Sequence, residues 1–161
     1  MKSLLLYNWE VRDDYIRSFE ELSIEELVKD RHAGQGSILK TLVHIIDVEY
    51  SWICAIMGKP EILFDVADYG DLPSIASLSN RLRAEIREDL NILNLSSLEQ
   101  ESIIPPWMTQ PLSKAEILMH LIIHEIHHVG QLSLWARELG ITPPNSNFIG
   151  RDFINKTRMT Q

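Results

Sequence analysis

The spacing of apolar residues along the chain is helical almost throughout, and the alternation typical of strands is nearly absent. Apolar positions at intervals of three, four or seven predict a first amphipathic helix over residues 3–22. Ser23, followed by Glu26 three residues later, has the pattern of a capping box and predicts a short second helix that ends near Lys29. The chain therefore begins with one long and one short helix.

The third predicted helix is the most apolar. Ser37 opens it and it runs to about Met57, where Gly58 and Pro60 have the order expected beyond a helix C-terminus. Apolar residues occupy nearly all of its sides, so we expect it to be the most buried element. Residues 61–71 are predicted to form a loop.

Two more long helices follow. Residues 73–93 carry an uninterrupted helical period behind an N-terminal proline, and residues 96–111 hold three prolines that predict an irregular connection. Ser113 with Glu116 is a second capping box, and it predicts a helix over residues 113–138. Gly140 stops this helix and an irregular tail follows, with one short turn near Phe153.

Four long helices without a credible strand predict an all-α four-helix bundle, with a short extra helix after the first long one. A chain of 161 residues is long enough for one sizeable core, so residues 1–161 are predicted to form a single domain.

Charge and composition exclude two classes of function. The net charge is −8, from 15 basic against 23 acidic residues, and no Lys or Arg cluster offers a nucleic-acid backbone a basic face. No apolar run approaches the roughly 20 residues that span a bilayer. The short apolar run at Leu4 is cut off by acidic residues from Glu10 onward, so we expect a cytosolic protein. Cys54, the only cysteine, is interpreted as a buried structural thiol.

Four of the six histidines fall within nine residues of the last long helix: His120, His124, His127 and His128. A single histidine on an apolar face is usually a hydrogen-bonded core residue, but packing does not require four imidazoles so close together. At about 100° per residue, His124 and His128 share the apolar stripe that faces the core, whereas His120 and His127 fall to one side. Two buried imidazoles without partners would be costly, and a shared metal ion would use their lone pairs.

The spacing also limits which histidines can meet. His124 and His128 lie about 6 Å apart along the helix, within reach of one ion, whereas His120 and His128 are about 12 Å apart. The third ligand must therefore come from another element, and His44 in the most buried helix is the best candidate. His32, just before a glycine-rich break, is expected to be exposed.

The same letters permit another interpretation. His124-Glu125-x-x-His128 matches the H-E-x-x-H pattern of zinc proteases, in which Glu125 would be the general base. Against it, the chain is small and has no predicted strand that could align a peptide substrate.

The chain resembles the DinB family, the damage-inducible DinB/YfiT-like metalloproteins. The resemblance rests on Leu42-Val43-His44 followed by Glu49 and Trp52, on His124-x-x-His127-His128-x-Gly130-Gln131, and on Pro143-Pro144 in the tail. It covers essentially the whole chain, in order and spacing. Val129 stands where the family commonly has an arginine, so a role of that arginine in a dimer contact or in substrate binding does not carry over to this chain.

The resemblance implies a four-helix bundle, often homodimeric, that binds one divalent metal ion through three histidines. Carried over by position, these are His44, His124 and His128. Zinc and nickel both suit imidazole ligands, and the sequence does not choose between them. Asp47, Glu125 and Gln131 are candidates for orienting the imidazoles through their free ring nitrogens.

Three imidazoles leave an open metal position, which favours a metal-dependent enzyme. Some relatives resemble transferases that use low-molecular-weight thiols, so we expect a thiol S-transferase acting on a small molecule. A non-catalytic metal-binding stress-response protein and a metal-dependent hydrolase are the alternatives. The sequence assigns no catalytic residue.

Overall fold

A computed structural model describes residues 1–32, 34–60, 62, 64–94, 96–153 and 155. The helices are α1 (Lys2–Ser18), α2 (Ile24–Val28), α3 (Ile38–Met57), α4 (Leu72–Ile92) and α5 (Lys114–Glu138), with a 3₁₀ turn at Val66–Asp68. The four long helices form the all-α bundle that the apolar spacing predicts, and α2 is the short extra helix.

Local signals set most of the helix ends. The Ser113 side chain accepts the Glu116 backbone N–H while the Glu116 carboxylate accepts the Ser113 N–H, which is the reciprocal capping box predicted for α5. Gly58 ends α3 in the left-handed conformation, with φ of +66°. In contrast, α1 ends at Ser18 rather than at residue 22. The predicted helix was too long because apolar spacing indicates which residues are buried, and Phe19 in the turn after α1 is buried as well.

The expectation of no strand fails at one small place. Ser102–Ile103 (β1) pairs antiparallel with Leu112–Ser113 (β2), within and just after the stretch predicted to be irregular. Two-residue strands are too short to produce a recognisable alternation, so the sequence pattern could not reveal them. The pairing of β1 with β2 holds the segment between α4 and α5 against the first residues of α5.

Helix α3 lies at the centre of the bundle, packed against α5, α4 and α2, while α1 packs against α5 and α4. Buried residues occur on all its sides, as its apolar composition predicts. Helices α3 and α5 run antiparallel, since His44 lies beside His124 and His128 whereas Trp52, further along α3, contacts His120. The histidines lie at this interface. Within the described ranges, no helix has the length and apolar character needed to cross a membrane.

Candidate metal centre

Three histidines converge at the interface of α3 and α5. The Nε2 atom of His124 lies 3.1 Å from Nε2 of His44 and 3.1 Å from Nε2 of His128. One ligand atom from each of the three residues lies within 4.8 Å of the others. The structure therefore brings together the three side chains that the helical spacing and the family resemblance selected.

The two distances from Nε2 of His124 to the other nitrogens fit a single metal ion. Two imidazole nitrogens bonded to one ion at about 2.0–2.1 Å lie roughly 2.8–3.4 Å apart for bond angles between about 90° and about 109°. The observed 3.1 Å falls inside that range. A cation at this point would satisfy all three lone pairs, which a proton shared among three mutually facing nitrogens cannot do.

The environment keeps the three imidazoles neutral, the form in which a ring nitrogen can bind a metal. Burial, reinforced by the neighbouring His128 and His44, lowers the pKa of His124 to about 3. Burial also lowers the pKa of His44 and of His128, although the hydrogen bond from His128 to Gln131 opposes the shift at that ring. Protons therefore compete poorly with a metal ion at this site.

Gln131 fixes the orientation of one ring. The Nδ1–H of His128 donates to the Gln131 side-chain oxygen at 2.7 Å, and the Gln131 amide N–H donates to Nε2 of His127 at 3.1 Å. With its proton on Nδ1, His128 presents an Nε2 lone pair to the other two histidines. Gly34, in the loop before α3, lies against Gln131 so closely that a Cβ there would overlap the amide oxygen.

The other histidines lie outside the convergence. His120 and His127 are exposed beside it on α5, as the helical spacing predicts, and His32 is exposed on the loop before α3. The ring of His120 contacts Trp52, 5.6 Å between centroids, and Trp52 contacts Trp107 on the connection to α5, at 5.1 Å. Since His120 also contacts His124 at 5.6 Å, an aromatic wall runs from the histidine cluster along the bundle surface.

The structure separates the three residues expected to orient the imidazoles. Gln131 contacts His128, as described above. Asp47 is half-buried one helical turn after His44. Glu125 turns toward α1, where both of its oxygens accept hydrogen bonds from Arg12, at 2.7 and 2.6 Å. The carboxylate expected beside an imidazole is thus held by an arginine instead.

Sequence reasoning missed the buried ionic cluster to which Glu125 belongs. Arg12 also donates to Glu49 at 2.9 Å and to Ser79 at 3.2 Å, and the Trp9 indole N–H donates to Glu49 at 2.6 Å. Burial alone would lower the pKa of Arg12, but the two carboxylates raise it, so the guanidinium stays charged. One signal in the sequence could have revealed the cluster. A charged residue lies among the apolar positions of each helix concerned, as Arg12 does three residues after Trp9.

Comparisons with known proteins support this fold and identify the family. The family model described as DinB family matches residues 1–159. The protein YizA of Bacillus subtilis (strain 168) is 49% identical over 152 residues, which cover 94% of this chain and 95% of that protein. A crystal structure of a DinB-like protein from Bacillus cereus ATCC 10987 superposes with a TM-score of 0.63 at 20% identity, over 90% of this chain and 96% of the other. The chain belongs to the DinB family.

Proposed function

We propose that the protein binds one divalent metal ion through His44, His124 and His128 and acts as a metal-dependent enzyme. The observation that carries the proposal is the trio of mutually facing Nε2 atoms, held on two packed helices. Zinc or nickel suits three imidazole ligands. Because three ligands do not complete a metal's coordination shell, they leave a position at which an exogenous molecule would bind the ion.

The reaction class we propose is thiol transfer to a small molecule. A metal held by three neutral imidazoles would supply a positive charge that keeps a coordinated thiol deprotonated. The chain contributes the orientation of His128 through Gln131 and a nearby surface of aromatic rings, Trp52 and Trp107, against which an apolar part of a substrate can pack. The cytosolic location expected from the sequence belongs to the same proposal.

Of the two alternatives, the hydrolase has a specific observation against it. In a H-E-x-x-H hydrolase the glutamate would act on a water at the metal. Both oxygens of Glu125 here accept hydrogen bonds from the buried Arg12. The non-catalytic metal-binding protein would share the same three ligands, so only an activity or ligand-access measurement separates it from the enzyme.

Metal analysis of untagged protein tests the ligand set. We expect one divalent ion per chain in the wild type and loss of tight binding in His44→Ala, His124→Ala and His128→Ala. His120→Ala and His127→Ala are matched controls from the same helix and should keep a stoichiometry near one. Full occupancy in any of the three ligand variants would refute the assignment.

Cobalt substitution tests access to the metal. Adding a small thiol to the Co²⁺-loaded protein should produce a sulfur-to-metal charge-transfer band, because a coordinated thiol is deprotonated. His128→Ala should show no such band. An unchanged wild-type spectrum at millimolar thiol would remove the mechanism of thiol transfer and favour hydrolysis or passive binding.

We further propose that the protein is a homodimer formed through the outer face of α5. Four large apolar residues are 46–65% exposed along one stripe of this helix: Met119, Ile123, Ile126 and Leu134. Gly130 lies within the stripe, and a Cβ there would meet nothing within 4 Å. Such a row of exposed apolar side chains is typical of a surface that a partner covers.

When two copies pair with their α5 helices antiparallel, the stripe of one copy contacts the same stripe of the other. About a two-fold axis between Ile126 and His127, Ile123 of one chain faces Gly130 of the other, so a large side chain meets an open position. The same axis places the acidic Glu116 near the basic Arg137 of the second copy. A second copy is therefore complementary in size and in charge, as an isologous interface requires.

The oligomeric state tests this proposal. Ile126→Lys places two like charges beside the proposed axis and should convert a dimer into a monomer in sedimentation analysis. Ile92→Lys, at an exposed isoleucine of α4, is the matched control and should leave the dimer intact. A monomeric wild type, or equal effects of the two substitutions, would contradict the interface.

A further inference from the structure

The buried cluster of Arg12, Glu49 and Glu125 contains one positive and two negative side chains. All three are at most 5% exposed. Among the described residues, the other buried charges are balanced, since Arg83 pairs with Asp13 and Asp89 pairs with Lys59. Within the cluster's own hydrogen bonds two carboxylates therefore face one guanidinium, a surplus of one negative charge that the more distant Arg83 offsets only in part.

The hydrogen bonds are those expected of two ionised carboxylates. Each of their four oxygens accepts from an N–H group: Arg12 donates to both oxygens of Glu125 and to one of Glu49, and Trp9 donates to the other. A protonated carboxyl would direct its proton at one of these donors. Burial raises the pKa of Glu125, and the charge and hydrogen bonds of Arg12 oppose that shift. Because Glu125 takes the two parallel bonds of the guanidinium, Glu49 carries the surplus charge.

A buried, uncompensated carboxylate is costly for the folded chain. Its position offers a compensating interaction. Glu125 follows His124 directly in α5, and Glu49 lies five residues after His44, about 7.5 Å along the axis of α3. Three neutral imidazoles contribute no charge to balance a divalent ion, and charges interact over such distances in a medium of low dielectric constant.

We propose that the surplus negative charge of the Arg12–Glu49–Glu125 cluster stabilises the cation at the histidine site, so that Glu49 sets metal affinity without contacting the metal. This inference rests on the proposed metal function. Glu49 acts on the metal through its electric field and not through a bond, and the hydrogen bond from Arg12 holds the Glu49 carboxylate in place. Together with Ser79 on α4, the cluster joins all four long helices.

The test compares removal of the charge with removal of a hydrogen bond. Glu49→Gln deletes the surplus charge, and Zn²⁺ affinity measured by competition with a chromophoric chelator should fall by about tenfold or more. Trp9→Phe is the matched control, because it deletes the indole donor to Glu49 and leaves the charge in place. It should lower the melting temperature of the metal-free protein and leave the Zn²⁺ dissociation constant essentially unchanged.

The double variant Trp9→Phe/Glu49→Gln separates charge from stability further. In the double variant the amide oxygen at position 49 can accept from Arg12, and its NH₂ group no longer faces the indole N–H of Trp9. The metal-free double variant should therefore melt at least as high as Trp9→Phe. Its Zn²⁺ affinity should nevertheless stay as weak as that of Glu49→Gln. Equal affinities in Glu49→Gln and Trp9→Phe would overturn the inference, whereas absence of Zn²⁺ binding by the wild type would refute the proposed function beneath it.

Discussion

At the scale of single residues, a hydrogen bond on the side that faces away from the cluster orients one of its rings. The bond from the Nδ1–H of His128 to Gln131 decides which nitrogen of that ring carries the proton. Partners of this kind fix the tautomer and the plane of a ligand ring. The three rings are 4.5–5.0 Å apart between centroids, so a modest rotation of one ring would misdirect its lone pair.

Gln131→Met tests this dependence. Methionine keeps the length of the side chain but cannot accept the Nδ1–H, so Zn²⁺ affinity should fall by about tenfold while the circular dichroism spectrum stays unchanged. Gln100→Met, at an exposed position in the connection to α5, is the control. An unchanged dissociation constant in Gln131→Met would mean that packing alone orients the ring.

Cys54 illustrates how burial controls reactivity. The side chain is 2% exposed in α3, and burial raises the pKa of its thiol. Because the thiolate is the reactive form, iodoacetamide should modify the folded protein only slowly at about pH 8 and more rapidly as the pH rises above the ordinary thiol value. Mass spectrometry should show fast modification at about pH 8 once the chain is unfolded in denaturant. Rapid labelling of the folded protein would contradict the buried position.

At the scale of elements, the metal centre depends on a loop as well as on two helices. The loop between α2 and α3 passes over α5 at Gly34, whose φ of +55° is in the left-handed region. Glycine serves two needs there, since it adopts this conformation without strain and leaves room for the amide of Gln131. The loop thereby packs against Gln131, which in turn accepts the hydrogen bond from His128.

Gly34→Ala separates these two needs when it is compared with Gly58→Ala. Both glycines have left-handed φ, so each substitution should destabilise the protein by about 1–2 kcal/mol. Only at Gly34 would the new Cβ displace Gln131, whereas a Cβ at Gly58 meets nothing within 4 Å. Zn²⁺ affinity should therefore fall in Gly34→Ala alone, and equal affinities in the two variants would contradict the coupling between the loop and the site.

At the scale of the whole molecule, the segment after α5 folds back across α1. The Tyr7 hydroxyl donates to the Ser146 carbonyl at 2.6 Å, and the rings of Phe148 and Phe153 pack on Tyr7. Arg151 forms ion pairs with acidic residues of α1. The tail thus covers an edge of the bundle and belongs to its core, although the sequence predicted only an irregular segment with a short turn.

Phe153→Ala should show how much this segment contributes. Its side chain is 3% exposed, and truncating a buried phenylalanine typically costs about 3–5 kcal/mol in the free energy of unfolding. Ile149→Ala is the control within the same segment, since Ile149 is 91% exposed, and it should change stability by less than about 0.5 kcal/mol. Chemical denaturation measures both, and equal effects would mean that the tail is not part of the folding unit.

Local sequence patterns determined the elements of this protein. The Ser113–Glu116 box and Gly58 act within one or two turns of backbone, so their outcome does not depend on the rest of the fold. The same reasoning placed His124 and His128 on one face, because residues four apart on a helix share a face wherever that helix packs. With the family resemblance it also selected His44, although metal binding by the three residues remains a prediction.

Only the tertiary structure decided which distant residues meet. Glu125 was expected near an imidazole, yet it lies against Arg12, more than a hundred residues earlier in the chain. The contact of Gly34 with Gln131 and the return of the tail onto Tyr7 are likewise invisible in sequence spacing. The physical reason is common to all three: helical period fixes the side of a helix on which a residue lies, whereas the packing of the helices fixes what that side faces.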